Sequence, residues 1–184
     1  MSPPTSPYAI AKIAGIKLIE AYRSQYGSDF ISAMPTNLYG AGDNYHPEYS
    51  HVTAALIRRF HQAKTSGISE VVVWGTGTPR REFLYVEDMA DACVHLMKTY
   101  SSAELVNVGS GEDITIAEFS RVLAKVVGYT GAIRFDPSRP DGTPRKLLDV
   151  SRLAKLGWRA RTSLEDGLGL AYRAYLSEKR QAAE

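Results

Sequence analysis

A single cysteine, Cys93, is all the thiol chemistry in this 184-residue chain. One thiol permits no internal disulfide and no cysteine metal cluster, so the expected setting is a reducing compartment. Charge of one sign is scarce as well. The 22 basic and 20 acidic residues leave a net +2, too little for a nucleic-acid surface, and any basic site must be local. No apolar run reaches the length of a membrane span, and the polar start Met1-Ser2-Pro3-Pro4-Thr5 lacks a signal-peptide pattern. These absences predict a soluble, cytoplasmic protein with neither nucleic acid nor membrane as partner. A Gly-rich strand-to-helix turn of the dinucleotide-binding kind is missing too. Gly109-Ser110-Gly111 is too short for it and runs into Glu112 and Asp113, which a phosphate would avoid.

What is present is ordinary globular material, 44% apolar and 23% charged, enough for one domain with a real core. A helical period runs from Tyr8 to about Tyr26, and Gly27 supplies a stop. Phe30 to Met34 reads as a short strand leading into Pro35-Thr36-Asn37-Leu38-Tyr39-Gly40, the position where functional loops follow strands in α/β sheets. Ser50 is placed to cap a helix to about Lys64, and Val71 to Trp74 reads as a buried strand. Phe83 to Val86 is a strand, with a helix from near Asp88 to Tyr100 and a strand from Leu105 to Val108 after it. Helices near 116–127 and 163–179 and a strand near 132–135 complete an alternation that means an α/β sheet.

Tyr8 and Lys12 are the first candidates for chemistry. Four residues apart on a helix, they lie one above the other, so the ammonium can favour the ionised phenol. With 11 tyrosines in the chain a chance Tyr-x-x-x-Lys is expected, and Tyr175 with Lys179 is one, read as an exposed surface pair. The first pair differs in its setting. Lys17, Glu20 and Ser24 mark the solvent stripe of its helix, and at 100° per residue Tyr8 and Lys12 fall away from that stripe, pointing inward. An inward lysine among Ile10, Ile13, Ile16 and Ile19 is costly to desolvate without a partner or ligand.

With Tyr8, Lys12, the 35–40 loop and Arg81-Glu82-Phe83-Leu84-Tyr85-Val86-Glu87-Asp88-Met89-Ala90 in view, the chain resembles the extended short-chain dehydrogenase/reductases that act on nucleotide sugars. Within them, five segments together look like the GDP-L-fucose synthase family. They are Ser6-Pro7-Tyr8-Ala9-Ile10-Ala11-Lys12, Asp43-Asn44-Tyr45-His46-Pro47, Ser50-His51-Val52, Trp74-Gly75-Thr76-Gly77 and Pro140-Asp141-Gly142-Thr143-Pro144-Arg145-Lys146.

The resemblance implies an NADP(H)-dependent enzyme that epimerises GDP-4-keto-6-deoxymannose at C3 and C5 and reduces C4. It gives Tyr8 the role of general acid at the C4 oxygen, and Lys12 that of holding the nicotinamide ribose and lowering the phenol's pKa. Taking a phenol from about 10 to about 7 needs roughly 4 kcal/mol of differential stabilisation. His51 becomes the acid/base of the epimerisation and a neighbour of the cofactor, against a plain reading as a solvated first-turn histidine. Pro35, Thr36, Asn37 and Leu38 would line the nicotinamide pocket. Arg59 and Arg81 would clamp the diphosphate, since a guanidinium fork matches phosphate oxygens. Trp74 would be an apolar wall of the GDP-sugar site or plain core, Asp141 an acceptor for the sugar nucleotide, and Lys146 an added charge. Arg58 and Arg80 read as a solvated basic face, and Cys93 as a core thiol.

The implied fold is α/β: an incomplete Rossmann-type parallel sheet with a smaller C-terminal α/β substrate-binding region. Roughly 1–40 and parts of 70–110 would belong to the nucleotide-binding sheet, and roughly 41–70 and 111–184 to the substrate region, as one truncated unit. The family's pyrophosphate loop, its serine partner of the Tyr-Lys pair and its epimerisation cysteine have no counterpart in this sequence. The chain alone is therefore expected to be inactive, and the full-length form to be a homodimer. Two alternatives stand beside this reading: another nucleotide-sugar 4-epimerase or 4,6-dehydratase, and a non-catalytic sugar-nucleotide binding remnant.

Overall fold

Alternating helices and strands assemble as the patterning predicts, in a computed structural model that describes residues 7–181. Ser6 of the first motif and the polar start Met1–Thr5 lie outside the described residues. The elements in order are α1 (Pro7–Tyr26), β1 (Ala33–Pro35), β2 (Asn37–Tyr39), α2 (Val52–Thr65), β3 (Glu70–Trp74), β4 (Arg80–Tyr85), α3 (Val86–Thr99), β5 (Val106–Val108), β6 (Asp113–Thr115), α4 (Ile116–Val127), β7 (Ala132–Asp136), β8 (Arg145–Lys146), α5 (Ser151–Lys155) and α6 (Leu164–Gln181).

Strands pair in parallel as β1 with β5, β2 with β4, β3 with β7 and β4 with β8, while β6 runs antiparallel to β4. This is the mixed but mainly parallel pairing expected of an α/β protein. β4 is the shared wall. Alternation along it sends Phe83 and Tyr85 into one cluster with α2, α4 and α6, and Leu84 into a second with α3, β5 and Trp158. Phe119 of α4 stacks on Phe83 with centroids 4.1 Å apart and sets α4 against the sheet.

Glu82, fully buried on β4, ties the sheet together. Its carboxylate accepts from the Gly111 amide at 2.7 Å and the Leu148 amide at 3.0 Å, and its carbonyl from the Asn37 side chain at 2.7 Å. A Cβ on Gly109 would sit 2.2 Å from that carboxylate, so the turn after β5 must carry glycine there. α4 begins with a capping box in which Thr115 and Glu118 satisfy each other's amides, and it ends on the left-handed Gly128.

Several expectations are corrected. Phe30 to Met34 is not the strand; β1 starts at Ala33, where pairing with β5 begins, and Phe30 is exposed. Ser50 is not the cap of α2. His51 occupies that position in an extended conformation and no side chain caps it. β4 starts three residues before Phe83, because Arg80, Arg81 and Glu82 pair with β6. Tyr175 is a core residue, 3% exposed, with Lys179 lying over its ring, so this pair is not a surface pair. Cys93 is half-buried rather than core.

The largest correction concerns α1. Its helix forms where the period predicts, and Gly27 terminates it, its amide N–H donating to the Arg23 carbonyl. Yet it has no buried residue, and Tyr8 is 73% exposed with Lys12 exposed beside it. The half-buried positions of α1 are Ala9, Ile16, Ile19, Glu20 and Arg23, so a residue of the expected solvent stripe is half-buried while the face bearing Tyr8 and Lys12 is exposed. Among the described residues nothing covers it.

Candidate functional site

Three arginines line a cleft of about 710 Å³ between the start of α2, the end of β3 and the middle of β4. Arg58 and Arg59 reach it from α2, Arg81 from β4, Asn37 from β2 and Trp74 from the end of β3. Val73, Leu56 and Ile116 give it an apolar floor, and Glu48 and Asp141 are its acidic residues. The positions follow from local structure. Arg59 lies at the middle of α2, and Trp74 sits on the exposed side of a strand whose Val71 and Val73 point to the core.

Each guanidinium is held by carbonyls. Arg59 donates to the Val72 carbonyl in a short bond, and burial, then the neighbouring Arg58 charge, pushes its pKa down from the usual arginine value. Arg81 donates to the Arg80 carbonyl at 2.7 Å, and Arg58 to the Pro47 carbonyl at 3.3 Å. None of the three is in an ion pair with a carboxylate among the described residues. Three half-buried cations without counter-ions make a site suited to an anion with several oxygens.

Asp141 lines this cleft, but its two oxygens accept from the Thr76 amide at 2.7 Å and the Thr76 hydroxyl at 2.8 Å. It therefore closes the turn after β3, where a Cβ on Gly75 would come within 2.3 Å of it. Trp74 is 64% exposed with the Arg139 guanidinium 5.1 Å over its ring. Between the two readings left open for it, core packing is ruled out. Lys146 stands opposite Arg81 in the β4–β8 register but does not line the cleft.

His51, at the cap of α2, is exposed and flanked by Ser50 and Val52, which do line it. The Asp43 carboxyl is pushed up by burial, with the His51 charge among the effects pulling it back. On the neighbouring strands, Thr36 and Asn37 both donate to the Glu82 carbonyl, while Pro35 and Leu38 are exposed. Tyr8 and Lys12 stay together, the ammonium 5.5 Å from the ring centroid, but they do not line the arginine-bearing cleft. The structure thus brings Asn37, Arg59, Trp74, Arg81 and Asp141 into one site and leaves the Tyr-Lys pair apart on α1.

Two residues read as solvated are not. Arg80 bonds Asp113 at 2.8 Å, and Arg145 bonds the other oxygen of the same carboxylate at 2.5 Å, so Arg80 is structural. Arg58 is half-buried in the cleft wall and was missed; its adjacency to Arg59 on α2 was the available signal. The other sizeable clefts hold charges already paired, such as Asp113, or form a shallow groove beside Asp149 and Lys155.

Residues 1–109 match the NAD dependent epimerase/dehydratase family. The chain is 58% identical over 176 residues to GDP-L-fucose synthase 1 of Arabidopsis thaliana, covering 96% of this chain and 54% of that protein. It is 54% identical over 188 residues to GDP-L-fucose synthase of Escherichia coli strain K12, covering 97% and 59%. Among solved structures, a GDP-L-fucose synthetase from Naegleria fowleri bound to NADP superposes with a TM-score of 0.88 at 28% identity, covering 96% of this chain and 57% of that one. The chain spans about half the length of the curated relatives it matches.

Proposed function

Because the chain belongs to the NAD dependent epimerase/dehydratase family, we propose that it supplies the GDP-sugar site and the Tyr-Lys helix of a GDP-L-fucose synthase. The observation that carries this is the cleft itself: Arg59 and Arg81, without carboxylate partners, beside an exposed indole. A diphosphate would meet the two guanidinium forks, and the uncovered face of Trp74 offers an apolar wall to the rest of the ligand. The high identity to named GDP-L-fucose synthases supports the substrate, GDP-4-keto-6-deoxymannose, over those of sibling epimerases and dehydratases. In this reading 1–40 and parts of 70–110 serve the nucleotide-binding sheet, and 41–70 with 111–184 the substrate region.

The residues present fit the nicotinamide end of NADP(H). Tyr8 and Lys12 share one exposed face, and Lys12 makes no ion pair among the described residues, leaving its ammonium for a ribose. The cofactor, when bound, supplies the hydride for C4. While C4 is still a ketone, His51 would move protons at the carbons beside it; Tyr8 would then give its phenolic proton to the C4 oxygen in the reduction, and Lys12 would stabilise the phenolate left behind. Pro35, Thr36, Asn37 and Leu38 would line the nicotinamide pocket, with Thr36 and Asn37 fixed by the Glu82 carbonyl. Asp141 and Lys146 act at the rim: Asp141 has lone pairs left beyond Thr76, and Lys146 extends the positive field. A homodimer of the full-length protein would use α1, where Ile10, Ile13 and Leu18 are exposed, and a cytoplasmic setting belongs to the same reading. No helix among the described residues is long and apolar enough to cross a membrane.

A second reading, a sugar-nucleotide binding module without turnover, is favoured by the separation of Tyr8 and Lys12 from the cationic cleft. Titration calorimetry of this chain with GDP and with guanosine tests the cleft. GDP should bind, guanosine should bind far more weakly, and Arg59→Ala should weaken GDP about thirtyfold or more. Equal affinity for the two ligands sinks the anion site. Fusion behind the N-terminal portion of one of the relatives tests the chemistry: NADPH oxidation should appear and vanish in Tyr8→Phe with GDP binding kept. Undiminished turnover in Tyr8→Phe removes it as the proton donor, and no turnover in the parent fusion favours the module.

A further inference from the structure

Four buried side-chain polar atoms among the described residues have no hydrogen-bond partner, and three of them belong to Tyr45, Arg58 and Tyr175. They share one corner. Arg58 and His61 are three residues apart on α2 and so point the same way. The His61 ring meets the edge of Tyr175 at 5.3 Å, its Nδ1 lies 3.0 Å from the Tyr172 hydroxyl, and Tyr175 packs on Tyr45 with centroids 4.6 Å apart. The orphan atoms are chemically complementary. The Arg58 Nε–H can only donate, and the two phenol oxygens can accept.

Leaving all three unpaired is costly, and such groups in a native protein call for a partner in some state of the molecule. Arg58 is the adjustable member of the arginine set. A 3.3 Å bond to the Pro47 carbonyl is its only hydrogen bond among the described residues. Arg58 lines the cleft, its charge acts on the Tyr175 hydroxyl, and Tyr175 packs on Tyr45. Burial pushes the ionisation of Tyr45 and Tyr175 upward, so both stay neutral hydroxyls able to accept.

We propose that Tyr45 and Tyr175 are positioning residues for Arg58: when an anionic ligand fills the cleft, the Arg58 Nε–H donates to the phenol oxygens and its terminal fork turns to the ligand as a third guanidinium. The proposal rests on the cleft being a diphosphate site. It links α6 and the 43–49 loop to ligand binding through hydroxyls that touch no ligand.

The experiment is GDP titration of the 184-residue chain in a double-mutant cycle, with melting followed in parallel. Tyr45→Phe and Tyr175→Phe keep the ring stacking and remove one oxygen each. Each should weaken GDP about fivefold, and Arg58→Gln about tenfold. In the Arg58→Gln background either Phe substitution should have no further effect on affinity. Arg58→Lys keeps charge but lacks Nε–H, so the phenols should be silent there as well. An unchanged affinity in both Phe variants, or the same loss with and without Arg58, overturns the proposal and leaves the cleft standing. If the parent chain shows no preference for GDP over guanosine, the cleft reading fails and the proposal with it.

Discussion

Replacing Glu82 tests whether a single buried carboxylate joins β4 to the segments on either side. In Glu82→Ala the amides of Gly111 and Leu148 lose the acceptor they have at 2.7 and 3.0 Å, and the Ser110 hydroxyl loses a long one at 3.4 Å. Two part-buried amides that lose this acceptor cost up to about 1–3 kcal/mol each. Relief of carboxylate desolvation runs the other way, so we expect a net loss of about 3 kcal/mol out of a total of about 5–15. With an m-value near 2 kcal/mol/M, the urea midpoint should fall by about 1.5 M. Glu82→Gln keeps one oxygen but turns a donor toward the second amide, so it should lose roughly half as much. Hydrogen exchange reads the mechanism: both amides should exchange faster in the alanine variant and only one in the glutamine variant. A midpoint within about 0.3 M of the parent for Glu82→Ala, with both amides still protected, would refute the reasoning.

Two further outcomes follow from the same structure. Thr115→Ala removes the side-chain half of the α4 capping box and should lower stability by about 1 kcal/mol, read as a drop in melting temperature, while Thr115→Ser restores most of it. The Asp113 carboxyl is held below the usual carboxylate range by its hydrogen bonds to Arg145 and then Arg80. Because its folded value is the lower one, its stabilisation is complete above the unfolded value near 3.9 and is lost as pH falls through the folded value. Acid unfolding of Asp113→Asn should lack that component, and identical acid midpoints for the two proteins would contradict it.

Long periodic segments were legible in the sequence, and short ones were not. α4 and α6 follow their apolar stripes closely, because a three-turn helix samples its period several times. β2, β6 and β8 are two or three residues long, too short for alternation to register, and they are strands only because β4 offers them edges. Ser50 failed as a cap because the helix starts one residue later, leaving His51 at the junction. In the site, Arg59, Arg81 and Trp74 line one cleft. Arg58 and Tyr175 carried no motif, and Tyr45 stood in the 43–47 segment with no role of its own; their relation exists only once Tyr172 and Tyr175 of α6 meet His61 of α2. Arg80 looked like a surface charge because its acidic partner lies 33 residues away in β6.

The placement of β4 has a thermodynamic consequence. A strand whose opposite sides serve two apolar clusters cannot leave one without withdrawing a wall from the other. The clusters should then melt as one cooperative unit, although each has its own helices. Nature has put an indole on either side of this strand: Trp158 sealed within the α3 cluster, and Trp74 at the end of β3 bordering the other. Their fluorescence should change over the same range of denaturant, so that loss of the α3 cluster is felt at the arginines as soon as it occurs.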